Sequence, residues 1–401
     1  MKKIKTLTVI GTRPEAIKMI PVIQELRSHH QTETVVVSTA QHRQMLDQVF
    51  SLFGLQPDVD LNIMRPLQSL NGIVCHAVEG LERVMRNHCP DAVLVQGDTT
   101  TAFAAALAAF NCKIPVGHVE AGLRSGALWN PYPEEGNRRL ISGIASMHFA
   151  PTRKSAENLQ RENISNNSVY VTGNTGVDCL MQILEAHVDY LAPFLPEGLK
   201  ISGRRMILVT AHRRENWAEP LQHLCNAVKE LASEFPDIWF LFPVHLNPIV
   251  SETIMLGLAG LSNVVLTKPL PYGAFIQAMA ASHLILTDSG GVQEEAPSLG
   301  KPVLVLRETT ERPEGIARGT AVLVGMEKEK ILQATRHLLT DERAYARMVG
   351  YRNPYGDGYA AQRTIEGILH WFGLGPRPKM FDDGSLFQFE LARPRRLAAT
   401  A

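Results

Sequence analysis

Residues 284–314 read LILTDSGGVQEEAPSLGKPVLVLRETTERPE. The apolar runs at 284–286 and 303–306 are typical of buried β-strands, and residues 292–299 between them favour a helix that ends at Gly300. The order strand, tight turn, helix, strand is the repeating unit of a parallel sheet covered by helices. This stretch therefore predicts an α/β fold.

The turn after the first of these strands is a predicted phosphate site. Ser289, Gly290 and Gly291 allow a ligand to approach the backbone, and the first N–H groups of the following helix have no partner within it. Glu295 lies one helical turn further on, where a carboxylate can accept hydrogen bonds from a ribose. The guanidinium of Arg312 can donate two hydrogen bonds to a diphosphate. Although Ser and Gly are common in any βα turn, together these residues predict a nucleoside diphosphate ligand.

The same alternation runs through most of the chain. Short apolar runs precede helical patterns at 7–10, 34–37, 92–95 and 115–119, and the pattern resumes between 206 and 324. A βαβα rhythm predicts doubly wound parallel sheets with helices on both faces. Ligands of such sheets bind at the carboxyl ends of the strands.

A cluster of Gly and Asn at 171–176 divides the chain into two predicted domains. We expect an N-terminal domain over residues 1–175 and a C-terminal domain, which carries the phosphate turn, over 176–357, with a cleft between them. A helical pattern at 358–372 is expected to cross back to the N-terminal domain. Residues 373–401, rich in Pro, Gly, Asp and Arg, are expected to form a loosely held tail.

The composition excludes several classes of protein. Lys plus Arg and Asp plus Glu both number 40, so no net charge attracts nucleic acid or an anionic membrane. The five cysteines are scattered and never spaced C-x-x-C, which argues against zinc and for reduced thiols in a cytoplasm. The N-terminus reads as a first strand and not as a signal peptide, and no apolar run approaches membrane-spanning length. We expect a small-molecule partner and no metal.

Charged residues stand at the strand ends of the N-terminal domain. Arg13 and Lys18 follow the first strand, where cations oppose the helix dipole unless an anion is nearby. Asp98, after the third, suits either a helix N-cap or chemistry. Glu120 ends the fourth, where an unpaired buried carboxylate is costly. Glu134 begins a later helix, and stabilisation by the helix dipole is its alternative explanation.

Two histidines, His212 and His245, follow successive strands of the C-terminal domain, and either of them could be structural. No G-x-G-x-x-G follows a strand and no G-x-x-x-x-G-K-[ST] occurs, so we expect neither a dinucleotide cofactor nor a P-loop. A phosphate turn on one domain and carboxylates on the other fit a sugar nucleotide whose sugar faces acid/base groups.

A series of segments between residues 11 and 358 closely resembles the non-hydrolysing bacterial UDP-N-acetylglucosamine 2-epimerases. The segments read GTRPEAIKM, TAQHRQMLDQ, GDTTT, HVEAGLRS, PEEGNRR, AHRREN, PVHLNP, TDSGGVQEEAPSLGKPVLV, TTERPE and NPYGDG. The resemblance extends to about residue 372 and does not cover the tail. It implies a glycosyltransferase-B-like fold of two Rossmann-like domains, a homodimer, and interconversion of UDP-GlcNAc and UDP-ManNAc that supplies ManNAc units for bacterial surface polysaccharide.

The resemblance also implies a mechanism. Carbon 2 of the sugar carries no acidic proton, because no carbonyl adjoins it, and no nicotinamide motif is present to oxidise the sugar. The family is understood to remove the carbon-2 proton as UDP departs, giving 2-acetamidoglucal, and then to return UDP with protonation on the other face. Both faces of the sugar therefore need a proton-transferring group.

Residue roles follow from matching positions. The acid/base candidates are Asp98, Glu120 and Glu134, without an assignment of acids to faces, and His212 would assist the departing diphosphate. The implied substrate-binding residues are Arg13, Lys18, Phe275, Ser289, Gly290, Gly291, Glu295 and Arg312; Phe275 would pack on uracil, although an aromatic residue there is equally a core residue. In some members a second UDP-GlcNAc is required for activity, and the matching positions are Gln41, Gln44, Glu134, Arg213 and His245. Whether Arg65 replaces a basic residue of that second site is left open.

Three other interpretations remain at this stage. A retaining glycosyltransferase of the same fold would share the nucleotide site, but the acids at positions 98, 120 and 134 weigh against it. A hydrolysing 2-epimerase would release free ManNAc, and such enzymes often carry a kinase domain for which this chain has no room. A non-catalytic sugar-nucleotide sensor would have no use for acids facing the sugar.

Overall fold

The computed structural model describes residues 3–41, 43–65, 68–196 and 204–382. The described chain forms two sheets, each with every strand pairing parallel. The first comprises β1 (Ile4–Ile10), β2 (Thr32–Ser38), β3 (Val59–Asp60), β4 (Ala92–Gln96), β5 (Val116–Val119), β6 (Met147–Ala150) and β7 (Val169–Val171). The second comprises β8 (Met206–Thr210), β9 (Trp239–Pro243), β10 (Val264–Thr267), β11 (Leu284–Thr287), β12 (Val303–Val305) and β13 (Ala321–Leu323).

Helices cover both sheets. Those of the first half are α1 (Arg13–Ser28), α2 (Arg43–Leu52), α3 (Leu70–His88), α4 (Thr100–Asn111), α5 (Glu134–Ile144), α6 (Arg153–Arg161) and α7 (Thr175–Glu185). Those of the second half are α8 (Glu219–Glu234), α9 (Pro248–Leu258), α10 (Tyr272–Ala281), α11 (Gly290–Glu295), α12 (Pro313–Arg318), α13 (Lys328–Thr340), α14 (Glu342–Val349) and α15 (Ala360–Trp371). This arrangement confirms the predicted α/β class with doubly wound parallel sheets.

The strand orders determine where a ligand can bind. The seven-stranded sheet has the order β3-β2-β1-β4-β5-β6-β7, and the six-stranded sheet has the order β10-β9-β8-β11-β12-β13. In each sheet the order reverses between two central strands, β1 and β4 in the first and β8 and β11 in the second. The turns that follow these strands diverge at that point and leave a crevice at their carboxyl ends. The predicted site residues all follow such strand ends or line the helices next to them.

Apolar side chains on both faces of each strand make four large core clusters. In the first sheet, α1, α2 and α15 pack on one face, and α3 and α4 pack on the other. In the second sheet, α8, α9, α13 and α14 pack on one face, and α7, α10 and α11 on the other. Two-sided burial explains why the strands read as continuous apolar runs without alternation.

The chain crosses between the sheets twice, and the two crossings touch. Helix α7 follows β7 but packs in a core cluster of the second sheet, whereas α15 follows the second sheet and packs against α1 of the first. The N–H of Asn174, before α7, donates to the carbonyl of Tyr355, before α15, at 2.7 Å.

The segment that follows α15 runs along the first sheet as far as Asp382. The N–H of Phe381 donates to the carbonyl of Val171 at 2.8 Å, and the ring of Phe381 is buried among apolar side chains of β6, β7 and α6. The first ten residues of the expected loose tail are thus held by a backbone hydrogen bond and by packing. Residues 383–401 lie outside the described residues.

The boundaries differ from the sequence prediction in one place that matters for the site. The helix expected at 292–299 begins at Gly290, and it continues as a 3-10 turn from Ala296 to Leu299. Ser289 precedes the first turn in an extended conformation, so both glycines lie inside the first turn. None of the described helices is long and apolar enough to span a membrane.

Candidate active site

A cavity of about 770 Å³ lies between the carboxyl ends of the two sheets. Its lining includes most of the predicted site residues: Arg13, Lys18, Gln41, Asp98, Glu120, Glu134, His212, His245, Phe275, Ser289, Gly291, Glu295 and Arg312. Gly290 and Arg213 are not part of the lining, and the side chain of Gln44 lies outside what the structure describes. The volume is in the range of pockets that enclose a small organic ligand.

Glu120 follows β5 with a φ of 65°, which is the left-handed backbone region and is uncommon for a residue with a side chain. Its Oε1 accepts a hydrogen bond from Lys18 Nζ, and its Oε2 accepts one from Gln96 Nε2. Burial raises the pKa of Glu120, and the positive charge of Lys18 opposes that shift. A buried carboxylate held by strained backbone and two donors is typical of a functional group.

Asp98 and Glu134 lie on the same side of the cavity as Glu120. Arg138 donates to Asp98 through Nε at 2.8 Å and lies within 2.6 Å of it through Nη2. Asn137 also donates to the carbonyl of Asp98 at 2.8 Å, so helix α5 holds the turn after β4. Glu134 begins α5, and its Oε2 is buried without a hydrogen-bond partner among the described residues. That oxygen is available to a polar group of a ligand.

Glu15, which sequence analysis did not select, joins the turns that follow β1 and β4. Its Oε2 accepts from the N–H groups of Gly11 at 3.0 Å and Thr12 at 2.6 Å, and its Oε1 accepts from the hydroxyl of Thr99 at 2.7 Å. Burial raises the pKa of this carboxyl to about 7 despite these hydrogen bonds. The contact fixes the turn that carries Arg13 relative to the turn that carries Asp98.

His212 is held by a buried aspartate of the C-terminal domain. Its Nδ1 lies 2.9 Å from Oδ1 of Asp288, while Oδ2 accepts from the N–H groups of His212 and Arg213, both at 2.9 Å, and from Asn216 Nδ2 at 3.0 Å. Burial would raise the pKa of Asp288, but the hydrogen bond and charge of His212 and the backbone donors lower it. Because Nδ1 is engaged, Nε2 is the atom that His212 can offer to a ligand.

Arg312 packs directly on the phosphate turn. Its Nε donates to Glu294 at 2.7 Å and its Nη1 to Glu311 at 2.6 Å. A Cβ added at Gly290 would lie 2.5 Å from the guanidinium carbon of Arg312. The structural reason for glycine at position 290 is therefore the close approach of Arg312, whereas Gly291 faces the cavity.

The substitution Gly290→Ala is expected to lower the free energy of unfolding of the ligand-free protein by about 1–3 kcal/mol, because the new methyl group overpacks the buried guanidinium. Gly291→Ala is the matched control. Its Cβ would meet no described atom closer than 3.9 Å, so a change of less than about 0.5 kcal/mol is expected. Denaturant unfolding measures both, and equal losses would contradict this account of the turn.

Glu295 and Arg13 both line the cavity and interact electrostatically with each other. The hydroxyl of Tyr272 donates to Glu295 Oε1 at 2.9 Å, and burial raises the pKa of Glu295 to about 7. Burial lowers the pKa of the Arg13 guanidinium, and the charge of Glu295 opposes that shift. Phe275 lines the cavity from α10 and also packs against a core cluster of the second sheet. Both roles named for Phe275 from the sequence are thus compatible with its position.

The residues named for a second ligand do not all share one surface. Gln41, which accepts from the hydroxyl of Thr101 at 2.7 Å, and His245, whose ring stacks 6.2 Å from that of His212, line the main cavity. Arg213 instead donates through Nε to the carbonyl of Asp288 at 3.0 Å and lies near Glu311. Its guanidinium contacts the backbone before the phosphate turn and is not part of the cavity lining.

Sequence reasoning missed the residues that hold the site together. They are Glu15, Gln96, Arg138, Tyr272, Asp288, Glu294 and Glu311. Asp288, Glu294 and Glu311 were within the quoted stretch, and a buried acid at a strand end or beside glycines was the available signal for the first two. Gln96, Arg138 and Tyr272 carry no local signal, since the site residues that they contact are distant in sequence.

The fold and the site define a glycosyltransferase-B-like α/β enzyme, in which a phosphate turn on one domain faces carboxylates on the other. Comparison with known proteins narrows this class. The family model for UDP-N-acetylglucosamine 2-epimerase matches residues 24–369. A Yersinia pestis UDP-N-acetylglucosamine 2-epimerase is 50% identical over 373 residues, covering 91% of this chain and 98% of the relative. A Bacillus subtilis protein of the same name is 49% identical, covering 93% and 97%.

Solved structures agree with this result. The UDP-GlcNAc 2-epimerase of Neisseria meningitidis, solved with UDP-GlcNAc bound, is similar with a TM-score of 0.85 and 49% identity, over 92% of this chain and all of that one. The chain belongs to the UDP-N-acetylglucosamine 2-epimerase family, whose members are isomerases. The resemblance stated from the sequence is confirmed, and the epimerase interpretation is favoured over the glycosyltransferase of the same fold.

Proposed function

We propose that this chain interconverts UDP-GlcNAc and UDP-ManNAc, by elimination of UDP to 2-acetamidoglucal and re-addition of UDP on the other face. One observation carries the proposal. The buried carboxylate of Glu120, in its strained turn, lies in the same cavity as the phosphate turn formed by Ser289 and Gly291. Elimination requires a proton-transferring group and a leaving-group site in one cavity, and this arrangement supports that reaction.

Each side of the cavity has a separate task in this reaction. Asp98, Glu120 and Glu134 supply proton transfer at carbon 2 on the N-terminal side. On the C-terminal side, the first-turn N–H groups of α11 and the Arg312 guanidinium stabilise the charge that develops on the departing UDP. His212, oriented by Asp288, donates from Nε2 to that leaving group. Arg13, Lys18, Phe275 and Glu295 hold the sugar, diphosphate, uracil and ribose.

The test is proton NMR of UDP-GlcNAc incubated with the purified protein in heavy water, with no nicotinamide and no acceptor. We expect UDP-ManNAc with deuterium at carbon 2 and only traces of free UDP and glucal. Accumulation of UDP with free ManNAc would instead establish a hydrolysing enzyme. Turnover only after an acceptor is added would establish a glycosyltransferase.

A second UDP-GlcNAc is proposed as an activator that binds beside the first. Gln41, Glu134 and His245 line the main cavity, and Gln44 and Arg213 are the other residues proposed for this site. Their support is that Gln41 and His245 give the cavity polar lining beyond the residues assigned to one substrate. Strictly hyperbolic kinetics from UDP-ManNAc, unchanged by added UDP-GlcNAc, would contradict it.

A homodimer is proposed through an exposed apolar surface at the start of α5. Leu128, Trp129, Tyr132 and Leu140 are exposed and surround a second cavity of about 270 Å³. Trp129 is 76% exposed, and exposing so much apolar surface to water is unfavourable. Burial of this surface against a second copy of the chain would remove that cost. Sedimentation equilibrium should give twice the chain mass, and Trp129→Ser should weaken association.

The product is proposed to supply ManNAc units for bacterial surface polysaccharide, with the enzyme working in the cytoplasm. The five cysteines are free, in keeping with a reducing compartment. Loss of ManNAc from surface polysaccharide in a strain that lacks the protein, restored by the intact coding sequence, would test both points.

A further inference from the structure

Glu294 is a buried carboxylate to which neither the proposed mechanism nor the sequence gives a role. It follows Gln293 and precedes Glu295 on α11, and adjacent helical residues point about 100° apart. While Glu295 faces Tyr272, Glu294 faces the N-terminal domain. Its side chain is only 4% exposed, and its Oε2 lies 3.2 Å from Nζ of Lys18 on α1. This ion pair joins the two domains across the cleft.

Lys18 is shared between two carboxylates that come from opposite domains. Glu120 contacts Nζ from the N-terminal domain, and Glu294 contacts it from the C-terminal domain. Arg312, at the start of α12, holds the other oxygen of Glu294 at 2.7 Å. The four side chains are two cations and two carboxylates, and each of them is at most 13% exposed. Charges in such a place are poorly screened, so each one affects the protonation of the others.

The charged groups that face Glu120 are Lys18 from α1, Glu294 from α11 and Arg312 from α12. Burial raises the pKa of Glu120, the cations lower it, and the negative charge of Glu294 raises it. Burial acts in the same direction on Glu294, but Arg312 and Lys18 outweigh it and hold the pKa of Glu294 below its usual range. Of the two acids that share Lys18, Glu120 is therefore the more easily protonated, since the pKa of Glu120 is raised and that of Glu294 is lowered.

We propose that Glu294 is a positioning residue for the proposed epimerisation: from the opposite domain it holds Lys18 between the two carboxylates and, by its charge, makes Glu120 the member that exchanges a proton. This inference rests on the proposed function. Through Glu294, the C-terminal domain interacts electrostatically with Glu120 of the N-terminal domain. Glu294 reaches Lys18 only across the cleft, so the tuning of the acid depends on how the two domains pack against each other.

The test is the pH dependence of kcat for wild type, Glu294→Gln and Glu294→Asp, measured with saturating UDP-GlcNAc by the NMR assay above. Glu294→Gln keeps the shape of the side chain and removes its charge, which lowers the pKa of Glu120. Whether Glu120 acts as base or as acid, the limb of the profile that reports it moves to lower pH. We expect a movement of about one pH unit, together with a fall in kcat of about 10- to 100-fold.

Glu314→Gln is the matched control. Glu314 is also a mostly buried carboxylate of the C-terminal domain that touches the N-terminal domain, since the hydroxyl of Thr152 donates to it at 2.7 Å. It makes no ion pair with Lys18 among the described residues. The pH profile of Glu314→Gln should coincide with that of wild type. If both limbs of the Glu294→Gln profile also coincide with wild type while kcat or KM changes, Glu294 is only a structural partner of Arg312 and the inference is overturned.

Glu294→Asp tests the charge of the side chain independently of its length. It is also the second test of the inference if the glutamine variant does not fold. It retains the charge but moves it one methylene away from Lys18. The limb should move in the same direction by less than half as far as in Glu294→Gln. An unmoved limb, or a movement as large as that of the glutamine variant, would contradict an electrostatic role. If wild type itself gives no UDP-ManNAc, the proposed function fails and not this inference.

Discussion

Glu120→Gln is expected to reduce kcat for the interconversion of UDP-GlcNAc and UDP-ManNAc by about 10²- to 10⁴-fold, the range that a general acid or base contributes. Glutamine has the same shape but cannot exchange the carbon-2 proton. Incorporation of deuterium at carbon 2 should fall by the same factor, because the two readouts share one step. The assay is NMR in heavy water at saturating substrate.

The variant should fold normally. Lys18 keeps Glu294 as a partner at 3.2 Å, so no buried cation is left alone. Unfolding temperature and affinity for UDP should therefore resemble wild type, and both are measured alongside the rate. Glu33→Gln is the matched control, since Glu33 is a half-exposed carboxylate that pairs with Lys5 on the same sheet. A Glu120→Gln rate within tenfold of wild type would remove Glu120 from the acid/base groups.

His212→Ala is the second large effect, with kcat expected to fall about 10²- to 10³-fold, as when one preorganised donor to a developing anion is removed. The ring is held by Asp288 beside the phosphate turn, so its loss affects departure of UDP more than binding. KM should change by less than about threefold, because the interaction strengthens only as charge develops. Initial rates over a range of UDP-GlcNAc concentrations separate the two parameters.

His223→Ala provides the control, because His223 is a partly exposed histidine of α8 paired only loosely with Glu219, at 3.9 Å. It should retain wild-type kcat. A rise in KM for His212→Ala with kcat unchanged would show that His212 binds the ground state and does not assist the leaving group.

Much of this molecule could be predicted from local sequence. The strands at 92–95 and 284–286 were predicted within a residue of their observed bounds, because buried parallel strands are continuous apolar runs. The two-residue strand β3 (Val59–Asp60) was missed, since so short an edge strand has no pattern of its own. Helix α11 was expected to begin at position 292 because glycine disfavours helices, but Gly290 lies in the first turn, where Arg312 leaves no room for a side chain.

By itself the sequence determined the α/β class and the family, and it predicted the phosphate turn and the set of candidate acids, since each of these is recognised from short local segments. Only the tertiary structure decided which charges are paired. Lys18 and Glu120 are 102 positions apart, and Glu294 reaches Lys18 from the other domain. Helix and strand periodicity reports which face of an element a side chain occupies, but not which element packs against that face. The protonation of Glu120 depends on that packing, because desolvation and neighbouring charge act through space.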